Sequence, residues 1–179
     1  RCNPRGFGFV VPVREHDGED VYVAGEDQGA GLHGDLVVVS RSRQKGRQQR
    51  GPAGKVVKVL RHARRELVGA FRTDRSVAYV EPDDPKFFRD IYVAAEDTGG
   101  ARAGDKVRVR IVAWPSRHLN PEGEVVEVLG SEDDPQVQVT AVIRSYNLRE
   151  EFPAEAQAVA EKLPSRVGAA ELEGRLDLR

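Results

Sequence analysis

Cysteine is nearly missing from this chain: there is one, Cys2, close to the amino-terminal end. A single thiol can neither close an internal disulfide nor build a zinc site, so Cys2 reads as incidental. Long apolar runs are missing as well. None approaches the roughly 20 residues that a membrane span needs, and no signal-peptide pattern opens the chain. A soluble, cytoplasmic protein with no membrane partner is the expectation. There is no Gly-rich nucleotide loop of the Walker or Rossmann kind, because Gly29-Ala30-Gly31 and Gly99-Gly100 precede Gly-Asp turns that lead into strands. His16, His33, His62 and His118 stand singly, with no pair at ligand spacing and no partner for a nucleophile. The only tight acidic groups are Asp83-Asp84 and Glu132-Asp133-Asp134. Two-metal chemistry needs several carboxylates converging on ions about 4 Å apart. These groups lie beside Pro82, Pro85 and Pro135 and read as solvated turns. No residue of the chain is assigned a catalytic or metal-binding role.

What the chain does contain is a duplication at an offset of about seventy residues. Gly6-Phe7-Gly8-Phe9-Val10 is answered by Ser76-Val77-Ala78-Tyr79-Val80, and Asp20-Val21-Tyr22-Val23-Ala24 by Asp90-Ile91-Tyr92-Val93-Ala94. Gly34-Asp35-Leu36-Val37-Val38-Val39 returns as Gly104-Asp105-Lys106-Val107-Arg108-Val109. Gly54-Lys55-Val56-Val57-Lys58-Val59-Leu60 returns as Gly123-Glu124-Val125-Val126-Glu127-Val128-Leu129. Four matched segments in one order describe two copies of one domain. A length of 179 residues accommodates two barrels of about 70 residues with some left over.

The repeated segments are short Val-rich alternations bounded by Gly, Asp and Pro, the pattern of half-buried antiparallel strands. A period of two places Phe7 and Phe9 on one face, with Gly8 and Val10 opposite. The same period sets Tyr22 against Val21 and Val23. If the valines form the core, Phe7, Phe9 and Tyr22 share an outer surface, where clustered rings invite a stacking ligand.

On these residues the chain resembles a known family. Arg5-Gly6-Phe7-Gly8-Phe9-Val10 is similar to the first ribonucleoprotein motif of cold-shock domains and Val21-Tyr22-Val23-Ala24 to the second, with Ala24 where cold-shock proteins usually carry His. With Trp114-Pro115, the Gly123 to Gly130 segment and the terminal Gly174 to Arg179, the chain resembles the amino-terminal half of ribonuclease R, in the ribonuclease II family. The resemblance implies a mainly β protein with two tandem five-stranded OB-type barrels, followed by a short helical segment. Domain 1 covers 1–66 with its first strand truncated, domain 2 covers 67–135, and 136–179 is a helical lead-in to a catalytic domain. It implies a processive 3′-to-5′ exoribonuclease whose Mg2+-holding aspartates follow Arg179, so both ends are expected to be cut. The fragment is expected to hold no cofactor and to be inactive alone.

The implied partner is single-stranded RNA, stacked on aromatics and gripped by cations. Residues 1–66 hold 13 Lys or Arg against 8 Asp or Glu, whereas residues 67–135 hold 9 against 14. Ser40 to Gly54 reads as a mobile basic loop. The expected RNA contacts are Arg5, Phe7, Phe9, Tyr22, Arg41, Arg43, Lys45, Arg47 and Arg50, with Tyr79 and Tyr92 on the acidic second repeat. Val77 stands there in place of Phe7. Trp114 reads as a residue packed between the repeats. Phe152, Ala156, Val159, Ala160 and Leu163 fall at helical spacing between Glu151 and Pro164. That stripe is open to three readings: exposed to solvent, packed on repeat two, or engaged in a weak, crystal-induced self-association. Two other readings remain open at this stage: a stand-alone cold-shock-like RNA chaperone, and a module whose acidic barrel recruits a basic protein.

Overall fold

The computed structural model describes residues 1–14, 18–42, 51–114, 119–165, 168 and 174. Residues 1–147 form one compact unit, and 148–179 a second. The first repeat supplies β1 (Gly8–Val10), β2 (Val21–Val23), β3 (Leu36–Ser42) and β4 (Ala53–Arg61) as one sheet in the order β1-β2-β4-β3. The second supplies β5 (Glu66–Asp74), β6 (Val77–Pro82), β7 (Ile91–Val93), β8 (Asp105–Ala113) and β9 (Glu122–Ser131), which close into a five-stranded barrel. The order β6-β7-β9-β8 repeats β1-β2-β4-β3 strand for strand, so the duplication in sequence is a duplication in topology. Cys2 bridges Gly8 as Thr73 pairs with Ala78, so Arg1 and Cys2 lie where the end of β5 lies in the barrel.

Alternation decides what faces inward. Val21 and Val23 are buried, as are Ile91 and Val93 at the matching positions. Phe71, Val80, Ile91, Val107 and Val109 centre the core of the closed barrel, and Leu32 from the first repeat joins the same cluster. Gly54 and Gly123 recur for a steric reason. A Cβ on Gly54 would meet Val39 Cγ1 at 2.6 Å and Val21 Cγ1 at 2.8 Å; on Gly123 it would meet Val109 Cγ2 at 2.7 Å and Ile91 Cγ2 at 2.8 Å.

Three details differ from the reading of the sequence. The expected loop from Ser40 to Gly54 is shorter, because the β3–β4 ladder runs on through Ser40–Lys55, Arg41–Gly54 and Ser42–Ala53. Polar side chains at an exposed strand end erase the apolar alternation without breaking the backbone pairing. Among the described residues each repeat also carries a 3-10 turn, Gly25–Asp27 and Ala95–Asp97, that no pattern of the sequence announces.

The acidic trio Glu132-Asp133-Asp134 is more than a solvated turn. Asp134 is the N-cap of α1 (Pro135–Ser145), accepting from Gln136 N at 2.8 Å, with Pro135 in the first turn. Its fixed φ and missing N–H suit that position. Val137 and Ala141, four residues apart, are the buried residues of α1, which packs on β5, β8 and β9. Arg144 grips the Glu127 carboxylate with both distances at 3.2 Å. Glu132 accepts two bonds from Arg72, at 2.5 and 2.9 Å. Those bonds hold its carboxyl below the usual range. Asp134→Ala is expected to cost about 1 kcal/mol by loss of the cap, read as a lowered urea midpoint with an unchanged slope.

In the second unit α2 (Ala154–Lys162) forms within the predicted segment, preceded by Pro153 and followed by Pro164. None of its residues is buried. No helix among the described residues is long and apolar enough to cross a membrane.

Candidate nucleic-acid interface

The three rings predicted for one surface meet on it. Phe9 pairs with Tyr22 across β1 and β2, and their centroids are 5.7 Å apart at 72°. Phe7 lies 5.9 Å from Phe9 at 85° and 5.7 Å from Tyr22 at 32°. The arrangement is a triangle of edge-on and tilted contacts, the geometry aromatic quadrupoles favour. Phe9 is 41% exposed although it is a large apolar side chain, while Val21 and Val23 fill the other face of the sheet. The cluster leaves ring surface open to a planar ligand.

Register extends this face in a direction the sequence did not point to. Tyr22 pairs in parallel with Ala53, so Lys55, two residues on, projects from the same face as the rings. Lys55 stands opposite Ser40, and Lys58 opposite Val38. The matching positions of the second repeat are Arg110 opposite Glu124 and Arg108 opposite Glu127. There the ions neutralise one another, at 2.9 Å for Arg110–Glu124 and 3.0 Å for Arg108–Glu127. The first repeat thus carries lysines facing uncharged neighbours where the second carries cross-strand ion pairs. Lys55 and Lys58 continue the acid-free basic run of the first repeat but lie past the expected loop, which ends at Gly54, and only the register places them on the ring face. The signal available was the substitution of Lys-Val-Val-Lys by Glu-Val-Val-Glu between the two echoes.

The other expected contacts fall unevenly. Arg5 is exposed in the turn before β1, and Arg41 is exposed near the end of β3. Arg43, Lys45, Arg47 and Arg50 lie outside the described residues. Tyr79 and Tyr92 pair across β6 and β7 as Phe9 and Tyr22 do, with Tyr92 44% exposed. Val77 leaves that pair without a third ring. Trp114 packs against the barrel core and stacks on His62, centroid to centroid 3.3 Å at 1°. His62 Nδ1 is 2.9 Å from Asp35 Oδ2, a carboxylate that also accepts from Leu32 N and Ala63 N. Trp114 therefore joins the two repeats and is not a stacking platform.

The acidic groups are engaged structurally. Asp83 holds Lys106 at 2.5 Å, and Asp84 lies 3.5 Å from Arg64. Among the described residues no three His, Cys, Asp or Glu side chains converge as metal ligands.

Comparison with known proteins agrees with this architecture. The ribonuclease B OB domain family matches residues 1–59 and the cold shock domain family residues 79–153. Ribonuclease R of Thermotoga maritima is 40% identical over 174 residues, covering 96% of this chain and 24% of that protein. The chain belongs to the ribonuclease R family. Ribonuclease R of Acidithiobacillus ferrooxidans is 31% identical over 181 residues, covering 99% of this chain and 40% of that protein. The chain thus spans between about a quarter and two fifths of these ribonuclease R relatives. Apo RNase R of Mycoplasma genitalium superposes with a TM-score of 0.76 at 21% identity, over 91% of this chain and 26% of that one. Yeast Ssd1, a pseudonuclease, superposes with a TM-score of 0.67 at 23% identity, over 82% and 24%. At these identities the two structures establish the fold.

Proposed function

We propose that this chain is the single-stranded RNA-holding segment of a cytoplasmic 3′-to-5′ exoribonuclease. It passes substrate to a Mg2+-dependent hydrolytic domain elsewhere in the protein. The observation that carries the reading is the triangle of Phe7, Phe9 and Tyr22 on the outward face of a sheet whose other face is packed. Bases stack on the rings, and stacking is tolerant of sequence because every base has a π-face. Arg5, Arg41, Lys55 and Lys58 take the phosphates beside them, joined by Arg43, Lys45, Arg47 and Arg50 of the basic segment. Tyr79 and Tyr92 form a weaker second platform, since acidic surroundings repel a polyanion. The hydrolytic step is assigned to the Mg2+-dependent domain. An RNA-bound structure of Mycoplasma genitalium RNase R, in complex with ribose methylated single-stranded RNA, supports this assignment by analogy of fold.

Titration of fluorescein-labelled oligo-uridine by anisotropy, at several salt concentrations, tests the proposal. Affinity is expected to fall steeply with salt. The slope of log affinity against log salt should flatten by about 0.7 for each lysine removed in Lys55→Gln and Lys58→Gln. No binding at low salt overturns the proposal, and an unchanged slope in both variants removes the lysines from the site.

A further inference from the structure

Phe7 differs from the other two rings in how it is held. It precedes β1 and belongs to the turn closed by the Cys2–Gly8 bridge, outside the β1–β2 pairing that orients Phe9 and Tyr22. Its ring nevertheless sits within 6 Å of both partners, at 5.9 and 5.7 Å. The turn has internal bonds: Asn3 N donates to Phe7 O at 2.7 Å, Gly6 N to Asn3 O at 2.9 Å, and Arg5 N to Asn3 Oδ1 at 3.0 Å. Those bonds shape the turn, and Arg1 tied to Phe9 at 2.7 and 2.8 Å fastens its base to β1.

Two residues of the 3-10 turn region after β2 meet its tip at Gly6. Gln28, 4% exposed, donates Nε2 to Gly6 O at 3.2 Å. A Cβ placed on Gly25 would stand 2.3 Å from Gly6 O. The obstacle is backbone, so no rotamer change relieves it, and only glycine lets the turn settle there. We infer that Gly25 and Gln28 are positioning residues for Phe7: their contacts with Gly6 seat the turn so that a third ring completes the platform.

The second repeat serves as an internal control. Ala95 stands in place of Gly25 and Thr98 in place of Gln28. Thr98 Oγ1 bonds back to Ala95 O at 3.2 Å and so is spent within its own 3-10 turn. The strands β5 and β6 are joined there by a tight hairpin with Arg75 at φ 53°. Val77, which has no ring, takes the place of Phe7. The repeat with a turn-borne ring has Gly and Gln at these two positions, and the repeat without one has Ala and Thr.

The inference rests on the stacking reading of Phe7, and the experiment separates the two. Gly25→Ala and Gln28→Thr import the residues of the second repeat and are compared with Phe7→Ala and with Gly25→Ala/Phe7→Ala. Oligo-uridine anisotropy measures binding, and proton NMR measures the contact between the Phe7 and Tyr22 rings. Gly25→Ala is expected to abolish the ring contact and weaken binding about tenfold, with the thermal melt of the barrel unchanged. Gln28→Thr, which adds no atom against Gly6, is expected to act in the same direction less strongly. The double variant should bind no more weakly than Phe7→Ala, because the glycine acts through the ring. Persistence of the Phe7–Tyr22 contact in both Gly25→Ala and Gln28→Thr overturns the inference, as does a double variant weakened by the product of the single effects. If Phe7→Ala binds like the parent while Gly25→Ala still loses the ring contact, positioning stands and stacking on Phe7 falls.

Discussion

Phe9→Ala is expected to weaken binding of oligo-uridine by tenfold or more while leaving the fold intact. Phe9 is the most open of the three rings in the triangle, at 41% exposure, and it touches both Phe7 and Tyr22. Truncation therefore removes one stacking surface and loosens the two beside it. Loss of a base–aromatic stack costs about 1–3 kcal/mol, roughly five- to 150-fold in affinity, and the exposure of Phe9 places it above the low end. Stability should change little, because the side chain points away from Val21 and Val23. Tyr92→Ala is the internal comparison. It removes the equivalent platform from the acidic repeat, where the local cations are already paired with Glu124 and Glu127, and its effect should be several-fold smaller. Superimposable anisotropy curves for Phe9→Ala and the parent would remove the platform from the site.

Phe71→Ala is expected to be the most damaging single change to stability. Phe71 is 1% exposed in β5 and packs in the cluster with Val80, Ile91, Val107 and Val109. Emptying such a site typically costs about 3–5 kcal/mol, since the lining of a closed barrel relaxes only partly. Against a total of roughly 5–15 kcal/mol for a domain, that is a large fraction. The thermal midpoint should fall by 10 °C or more, read by circular dichroism. Leu32 of the first repeat belongs to the same cluster, and the only tryptophan, Trp114, stacks on His62 at the end of the first sheet. Loss of Trp114 fluorescence is therefore expected to track the melt of the barrel. Phe88→Ala, 37% exposed, is the control and should cost less than about 1 kcal/mol. Equal melts for the two variants would contradict the assignment of the core.

Particular residues show which features were legible in the sequence. The inward valines and outward rings needed only a period of two, a property of each strand taken alone. Helix α2 was legible from its apolar spacing and flanking prolines. Helix α1 (Pro135–Ser145) falls at the start of the segment 136–179 read as helical, but its capped start is hidden because three acids before Pro135 resemble a solvated turn. The same residues form a capped helix start once Val137 and Ala141 find a surface to cover. The loop after β3 was drawn too long because Ser40, Arg41 and Ser42 hide a strand whose evidence is its backbone ladder.

The sequence by itself determined the duplication, the strand character of its repeats, the face on which Phe7, Phe9 and Tyr22 lie, and the family. Those are local or repeated patterns. Only the tertiary structure decided which charges meet. Lys55 and Lys58 face Ser40 and Val38, while Glu124 and Glu127 face Arg110 and Arg108, through pairings between residues more than ten positions apart. It alone also brought Gly25 against Gly6. Register and close packing join residues distant along the chain, and no count of composition or charge within a repeat contains that information.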